Sequence, residues 1–214
     1  MGFRRTAACF GIGFVILEVT GFVLWGSPPG TGAPASEITR FFADAGSVPK
    51  IGSVLNAFAY TLAVPFIVGF ILPFLRKDRE HGEGYGWVVF GGFLVTGATA
   101  LVGLSASFAQ VLRGGAELDA STMRAVSDLS NMAYGLAILF MMVWAGGAAV
   151  ATFRRRVMPQ WFGILSVLAA LGGITGIVSV TSAGLGMVID VGFVLLVVWA
   201  LAASVVMLRK PTAA

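Results

Sequence analysis

Charge, cysteine and histidine are scarce in this chain of 214 residues. Asp, Glu, Lys and Arg together make up 11% of it, and cysteine and histidine occur once each. With 57% hydrophobic residues, so few charges cannot solvate the surface of a water-soluble domain of this size, and a bilayer must be the solvent. The lone cysteine, Cys9, can form no internal disulfide and says nothing about redox compartment. The lone histidine, His81, lies in a charged connection, which excludes bis-imidazole haem and the histidine-rich iron centres of membrane desaturases. No metal site and no cofactor is expected. The net charge of +4 resides in short clusters at the ends of apolar runs, a topology signal and not a nucleic-acid surface.

What is abundant is apolar sequence in long stretches. A hydrocarbon core of about 30 Å takes roughly 20 apolar residues per helix, and runs at 7–25, 51–75, 87–111, 129–153, 161–180 and 187–208 meet that length. The expectation is an all-α polytopic membrane protein with six transmembrane helices in one domain, 1–214. Lys and Arg divide ten against four between the two sides. Arg4, Arg5, Arg76, Lys77, Arg79, Arg154, Arg155, Arg156, Arg209 and Lys210 face Arg40, Lys50, Arg113 and Arg124, which puts both termini in the cytoplasm. The paired arginines before the first run and Ala33-Pro34-Ala35 after it resemble a secretory signal. The length of the run and Glu18 inside it argue against that reading.

The connections carry local signals. Between the first two runs, Ser36 is placed to cap a short helix with Ile38, Phe41, Phe42 and Ala45 on one face and Arg40 and Asp44 spaced i,i+4. A helix on the outer membrane surface and a plain loop both fit. Residues 113–127 suggest an early start to the fourth helix. In the segment 76–86, Gly82, Gly84 and Gly86 lack the strand and the Lys-Ser/Thr of a phosphate loop and suggest a flexible turn.

Segment 53–66 laid on 127–140 repeats Ser, Leu, Ala, Tyr, Leu, Ala and Phe, pairing Tyr60 with Tyr134, and Val143-Trp144-Ala145 recurs as Val198-Trp199-Ala200. Three tandem helical hairpins of one ancestry would explain these echoes, and so would chance in apolar sequence. Thr99, Gly103 and Ser107 form one row of small residues and Gly172 with Gly176 another, both suited to close helix packing within the chain. Pro65 should kink the second span, and Pro159 suits a helix start.

Polar residues inside the spans are confined to the outer half. At 1.5 Å per residue, Glu18 lies about 10 Å from the outer end of its span, Asn56 about 9 Å, Tyr60 about 15 Å and Asp190 about 5 Å. Asn131 and Tyr134 also fall in the outer half, whereas the inner halves hold no charged or amide side chain. That asymmetry argues for an outward pocket and against a channel. Glu18, Asn56, Tyr60, Asn131, Tyr134 and Asp190 are therefore the candidate ligand-binding residues, with no catalytic set. Each has a plainer reading: a carboxyl at the depth of Glu18 must pair, protonate or face water, the asparagines can bridge helices, and Asp190 can be solvated. Trp25, Trp87 and Trp161 sit where interface anchors belong.

The basic N-terminus before a Gly-rich first span, Phe41-Phe42, Pro73-Phe74-Leu75-Arg76 and Val157-Met158-Pro159-Gln160-Trp161-Phe162-Gly163 resemble the small bacterial, actinobacterial-type six-helix membrane proteins grouped as a domain of unknown function. The resemblance implies six helices and a bacterial cell membrane and brings no catalytic residues.

Function is expected to be non-enzymatic: an outer-leaflet pocket for a lipid-like or small amphipathic molecule, or for a partner transmembrane helix, with membrane lipids as the surroundings and no nucleic acid. The alternative is a proton- or ion-coupled transporter in which Glu18 exchanges a proton. Intramembrane proteolysis would need a paired Ser-His or Asp-Asp set that the spans lack.

Overall fold

A computed structural model describes residues 2–26, 28–30, 32–44, 46–113, 118–181 and 186–209, with the side chains of 177, 179–181 and 186–190 outside that description. Among the described residues the chain is all helix: α1 (Phe3–Trp25), α2 (Ala35–Asp44), α3 (Val48–His81), α4 (Tyr85–Arg113), α5 (Ala120–Arg155), α6 (Gln160–Gly172), α7 (Ile174–Thr181) and α8 (Gly186–Leu208).

Five of these are long and apolar enough to cross a membrane: α1, α3, α4, α5 and the Val191–Leu208 part of α8. The fifth apolar run, expected as one span at 161–180, is instead divided at Gly173 into α6 and α7. At the division a Cβ on Gly173 would sit 2.4 Å from Met142 Cγ and 3.0 Å from Met142 N, so the backbone there presses directly on α5. Gly173 keeps helical torsions, φ −58° and ψ −26°, and its amide is shared between the ordinary i−4 carbonyl of Ala169 at 3.1 Å and that of Ala170 at 3.0 Å.

Around the bundle α1 packs on α3, α3 on α4, α4 on α5, α5 on α6 and α7, and both of those on α8, which returns to α1, while the short α2 packs on α5. The contacts close into a ring. Adjacent members run antiparallel, and glycines set how near they come. A Cβ at Gly52 would meet the Gly21 carbonyl at 2.7 Å, and one at Gly92 would meet Trp144 N at 2.8 Å. At Gly176 a Cβ would strike the carbonyl of Gly135, so the Gly172 and Gly176 row packs within the chain.

The arginine-rich ends of the helices gather at one end of the ring. There Asp78 of α3 accepts from the Gly86 amide at 2.6 Å, satisfying a donor in the first turn of α4. Gly82, at φ 67°, closes α3 by donating to the Asp78 carbonyl. The segment expected to be a flexible turn is thus a tight, capped one. Glu83 then takes a forked pair of bonds from Arg155, with Nε to Oε2 at 2.7 Å and Nη2 to Oε1, and Arg154 donates to the Tyr85 hydroxyl at 2.9 Å. Hydrogen bonding to Arg155 holds the Glu83 carboxyl below the usual carboxylate range.

At the opposite end α5 begins at Ala120, well before its apolar run. Asp119 caps it by accepting from the Ser121 and Thr122 amides at 2.9 and 3.1 Å. Those bonds and the two hydroxyls beside them push the Asp119 carboxyl far down. The short segment before α3 is the helix α2, with Ile38 and Phe42 buried against Val111 and Met123. Arg40 and Asp44, although spaced for an ion pair, form none.

The core occupies the arginine-rich half and is aromatic at its upper boundary. Phe70 is fully buried with its ring 4.8 Å from Trp199, 5.1 Å from Phe74 and 5.9 Å from Phe162. Phe93 stacks on Trp144 at 4.4 Å, and Trp144 meets Trp199 edge-on at 4.5 Å. Two serine hydroxyls in this half are turned back on the helices, Ser166 donating to Phe162 O and Ser204 to Ala200 O, and the Trp199 indole donates to Ser166, while the buried Thr152 hydroxyl has no partner. These bonds lead no polar route downward.

Candidate functional site

Above the aromatic layer the ring opens into a single cavity of about 560 Å³, within the range of small-molecule sites. Phe66, Phe93, Trp144 and Trp199 form its floor. Its walls come from α1, α3, α4, α5 and α8, and none of the described side chains of α6 or α7 reaches it. The mouth is at the end opposite the arginines, beside Trp25, Gly26, Pro28 and Gly30.

Helical period explains why the polar wall forms. Ser53, Asn56 and Tyr60 stand at i, i+3 and i+7 on α3, so they share the face that α3 turns inward. Ser127, Ser130 and Tyr134 repeat that spacing on α5, with Asn131 beside them. Tyr134 and Asn131 line the main cavity, and Ser127 and Ser130 line a small side recess of about 40 Å³ that also includes Gln110 and Phe42. Ser107 and Ser130 join their hydroxyls at 2.8 Å, and Ser130 also reaches the Gly103 carbonyl at 3.2 Å, pinning α4 to α5. A Cβ at Gly103 would touch the Tyr134 ring at 3.1 Å, so the absence of a side chain there is what seats that tyrosine.

Glu18 projects from α1 into this space at 8% exposure, and its Oε2 has no hydrogen-bond partner in the chain. Tyr60 and Tyr134 are close enough to interact electrostatically with it. Other wall atoms are similarly unpartnered: Ser53 Oγ, Asn56 Oδ1, Thr96 Oγ1 and, on the floor, Trp144 Nε1. A buried polar atom without a partner is costly, and five of the residues around the cavity, four in the wall and one in the floor, carry one.

Of the six residues singled out in the sequence, the structure brings Glu18, Asn56, Tyr60, Asn131 and Tyr134 together around the cavity. Asp190 falls on α8 where side chains lie outside the described set. Sequence reasoning missed Ser53, Thr96, Gln110 and Ser130, and it did not see Trp144 and Trp199 as a floor. The signal for three of the missed positions was present. Ser53 and Ser130 share a face with the tyrosine seven or four residues on, and Gln110 follows Ser107 by three. Trp25, expected as an interface anchor, is a lip of the cavity with its ring 5.8 Å from Phe42, whereas Trp87 and Trp161 are exposed. Among the described residues no group of three or more His, Cys, Asp or Glu comes together.

Comparisons with models of protein families, with curated proteins and with solved structures find no match. The geometry of the cavity therefore carries the functional argument alone.

Proposed function

We propose that this chain is a six-span membrane protein, arginine-rich end in the cytoplasm, whose cavity binds a lipid-like or small amphipathic molecule from the opposite leaflet without catalysing a reaction on it. The sixth span is α6 and α7 taken together. From Gln160 to Thr181 they reach about 33 Å at 1.5 Å per residue, enough to cross despite the break. Nine of the ten cations assigned to that side are described residues, and their gathering at one end supports the orientation.

One observation carries the binding reading: a 560 Å³ cavity with Glu18, Tyr60, Asn131 and Tyr134 on its upper walls and an aromatic floor. Polar groups above and rings below match a molecule with a polar head and an apolar body. The test is to purify the protein with Glu18→Leu and Asn56→Ala beside the unaltered chain. Lipid retained through purification is then identified by mass spectrometry, and binding of the neutral fluorescent amphiphile N-phenyl-1-naphthylamine is titrated. Loss of retained lipid and weaker probe binding are expected. Identical lipid content and identical titrations would count decisively against the reading.

A further inference from the structure

The charge and ring content of the cavity restrict what it can hold. Among the described residues its lining contains one carboxyl, Glu18, and no Lys, Arg or His, so no described cation faces that carboxyl. Among the described residues Glu18 is also absent from every ion pair. Ten of the lining residues are aromatic, and several lie at the level of Glu18 or close below it: Phe14 and Phe22 one turn to either side on α1, Tyr60 and Tyr134 opposite, and Phe93 beneath. Phe22 stacks on Phe193 of α8 at 4.6 Å, closing the wall between α1 and α8 beside the carboxyl.

Ring faces carry negative quadrupole potential and attract cations, most strongly where water is excluded. A buried carboxylate is stabilised by an opposite charge that arrives with its own apolar shell, and it repels an anion.

We propose that the cavity is a receptor for a lipophilic monocation, an alkylammonium or protonated amine, whose charge sits against Glu18 inside the aromatic wall and whose apolar body rests on Phe93, Trp144 and Trp199. This rests on the binding reading above and specifies its ligand class. The cation is carried either by a free amphipathic amine or by the choline-type headgroup of a lipid. The recognising chemistry is shared.

The experiment uses the full chain in neutral maltoside micelles and two probes of matched shape and opposite charge, tetraphenylphosphonium and tetraphenylborate, titrated by calorimetry, with N-phenyl-1-naphthylamine as the neutral reference. Tetraphenylphosphonium is expected to bind one per chain and about tenfold or more tighter than tetraphenylborate, a margin equal to a single good desolvated cation–π or charge contact. Glu18→Gln should remove that margin, bringing the affinities of the two charged probes together. Gly97→Leu, which fills lumen where a Cβ meets nothing within 4 Å, should weaken all probes alike in a folded protein. Competition by lysophosphatidylcholine but not lysophosphatidylglycerol assigns the cation to a lipid headgroup, and competition by neither assigns it to a free amine. Both support the proposal. Equal affinity for the two charged probes, or a tetraphenylphosphonium affinity that survives Glu18→Gln, overturns the cation inference and leaves the cavity as a neutral amphiphile site. Failure of every probe, the neutral one included, overturns the binding reading itself.

Discussion

Two glycines on one helix test whether the ring is hollow where it is described as hollow. Gly92 and Gly97 both lie in α4. A Cβ at Gly92 would come within 2.8 Å of Trp144 N and Cβ, whereas one at Gly97, under two turns nearer the mouth, meets nothing within 4 Å. Carbon atoms are most favourable near 3.5–4.0 Å, and the obstruction at Gly92 is mainly backbone, which cannot rotate away. Gly92→Ala must therefore separate α4 from α5, an overpacking that costs about 1–3 kcal/mol. At Gly97 the same substitution adds no clash. In water it would gain about 0.5–1 kcal/mol from helix propensity, but spans remain helical when a membrane protein unfolds in lipid or detergent, so the expected gain is between about 0 and 1 kcal/mol. The assay is reversible unfolding in mixed micelles with rising sodium dodecyl sulfate, followed by tryptophan fluorescence, since Trp144 and Trp199 sit at the boundary being tested. A Gly97→Ala variant destabilised as much as Gly92→Ala would mean that the lumen is packed, and the cavity would not exist at this level.

Three further outcomes are expected. Phe70→Ala removes the ring on which Phe74, Phe93, Phe162 and Trp199 converge. In a water-soluble core that costs about 3–5 kcal/mol, but lipid supplies little of the transfer component, leaving roughly 2 kcal/mol in the same micelle titration, and a loss under about 0.5 kcal/mol would refute the aromatic core. Glu83 and Asp119 have carboxyls held below their ordinary range in the folded chain by Arg155 and by Ser121 and Thr122 respectively. Their contributions are present above the unfolded carboxylate range of about pH 4 and disappear as pH falls through the lower folded values. Stability should therefore drop between pH 6 and pH 3, and the drop should shrink in Glu83→Gln and in Asp119→Asn, an unaltered drop in both being the contrary result. Asp119→Ala should fray the first turns of α5, read as faster amide exchange at residues 121–124 without change near Trp144.

The helical class and five of the spans were legible because hydrophobic run length is a one-dimensional property. The runs at 7–25, 51–75, 87–111 and 129–153 lie within α1, α3, α4 and α5, and the last run overlaps α8. The break at Gly173 was not legible: it falls where the backbone closes on Met142 of another helix, and nothing in a run of apolar residues marks where a neighbour will press. The same limit applies to the cavity. That Glu18, Asn56, Tyr60, Asn131 and Tyr134 share one depth could be counted along the chain, but their sharing one lumen depends on which way each helix is turned. Small residues turn α4 and α5 toward each other at Gly92 and Gly103 and leave Gly97 facing open space. The serines of the wall were overlooked because a hydroxyl in a span normally bonds its own backbone, as Ser105 and Thr99 do here. Ser53, whose hydroxyl has no partner, is the exception that a count of residue types cannot reveal.

The floor bears on the transporter alternative. A carrier moving a solute past Glu18 would have to open the layer in which Phe70, Trp144, Phe162 and Trp199 are each fully buried and interlocked at centroid distances of 4.4–6.2 Å with Phe93 among them. Below that layer the hydroxyls of Ser166 and Ser204 are already committed to helix carbonyls, so parting the rings would expose the lone Thr152 hydroxyl and not a row of polar groups leading to the arginine-rich end. Opening would thus require several helices to move together against aromatic packing, with no polar surface gained in return. Binding from one leaflet needs none of this. It requires only that a ligand enter at Trp25 and Pro28 and stop on Trp144 and Trp199. If flux across sealed vesicles were nonetheless observed, the ring layer would have to part, and solvent exposure of Trp144 and Trp199 during turnover, read by acrylamide quenching, is the signature that would accompany it. A chain that binds but does not carry should keep both indoles shielded with and without ligand.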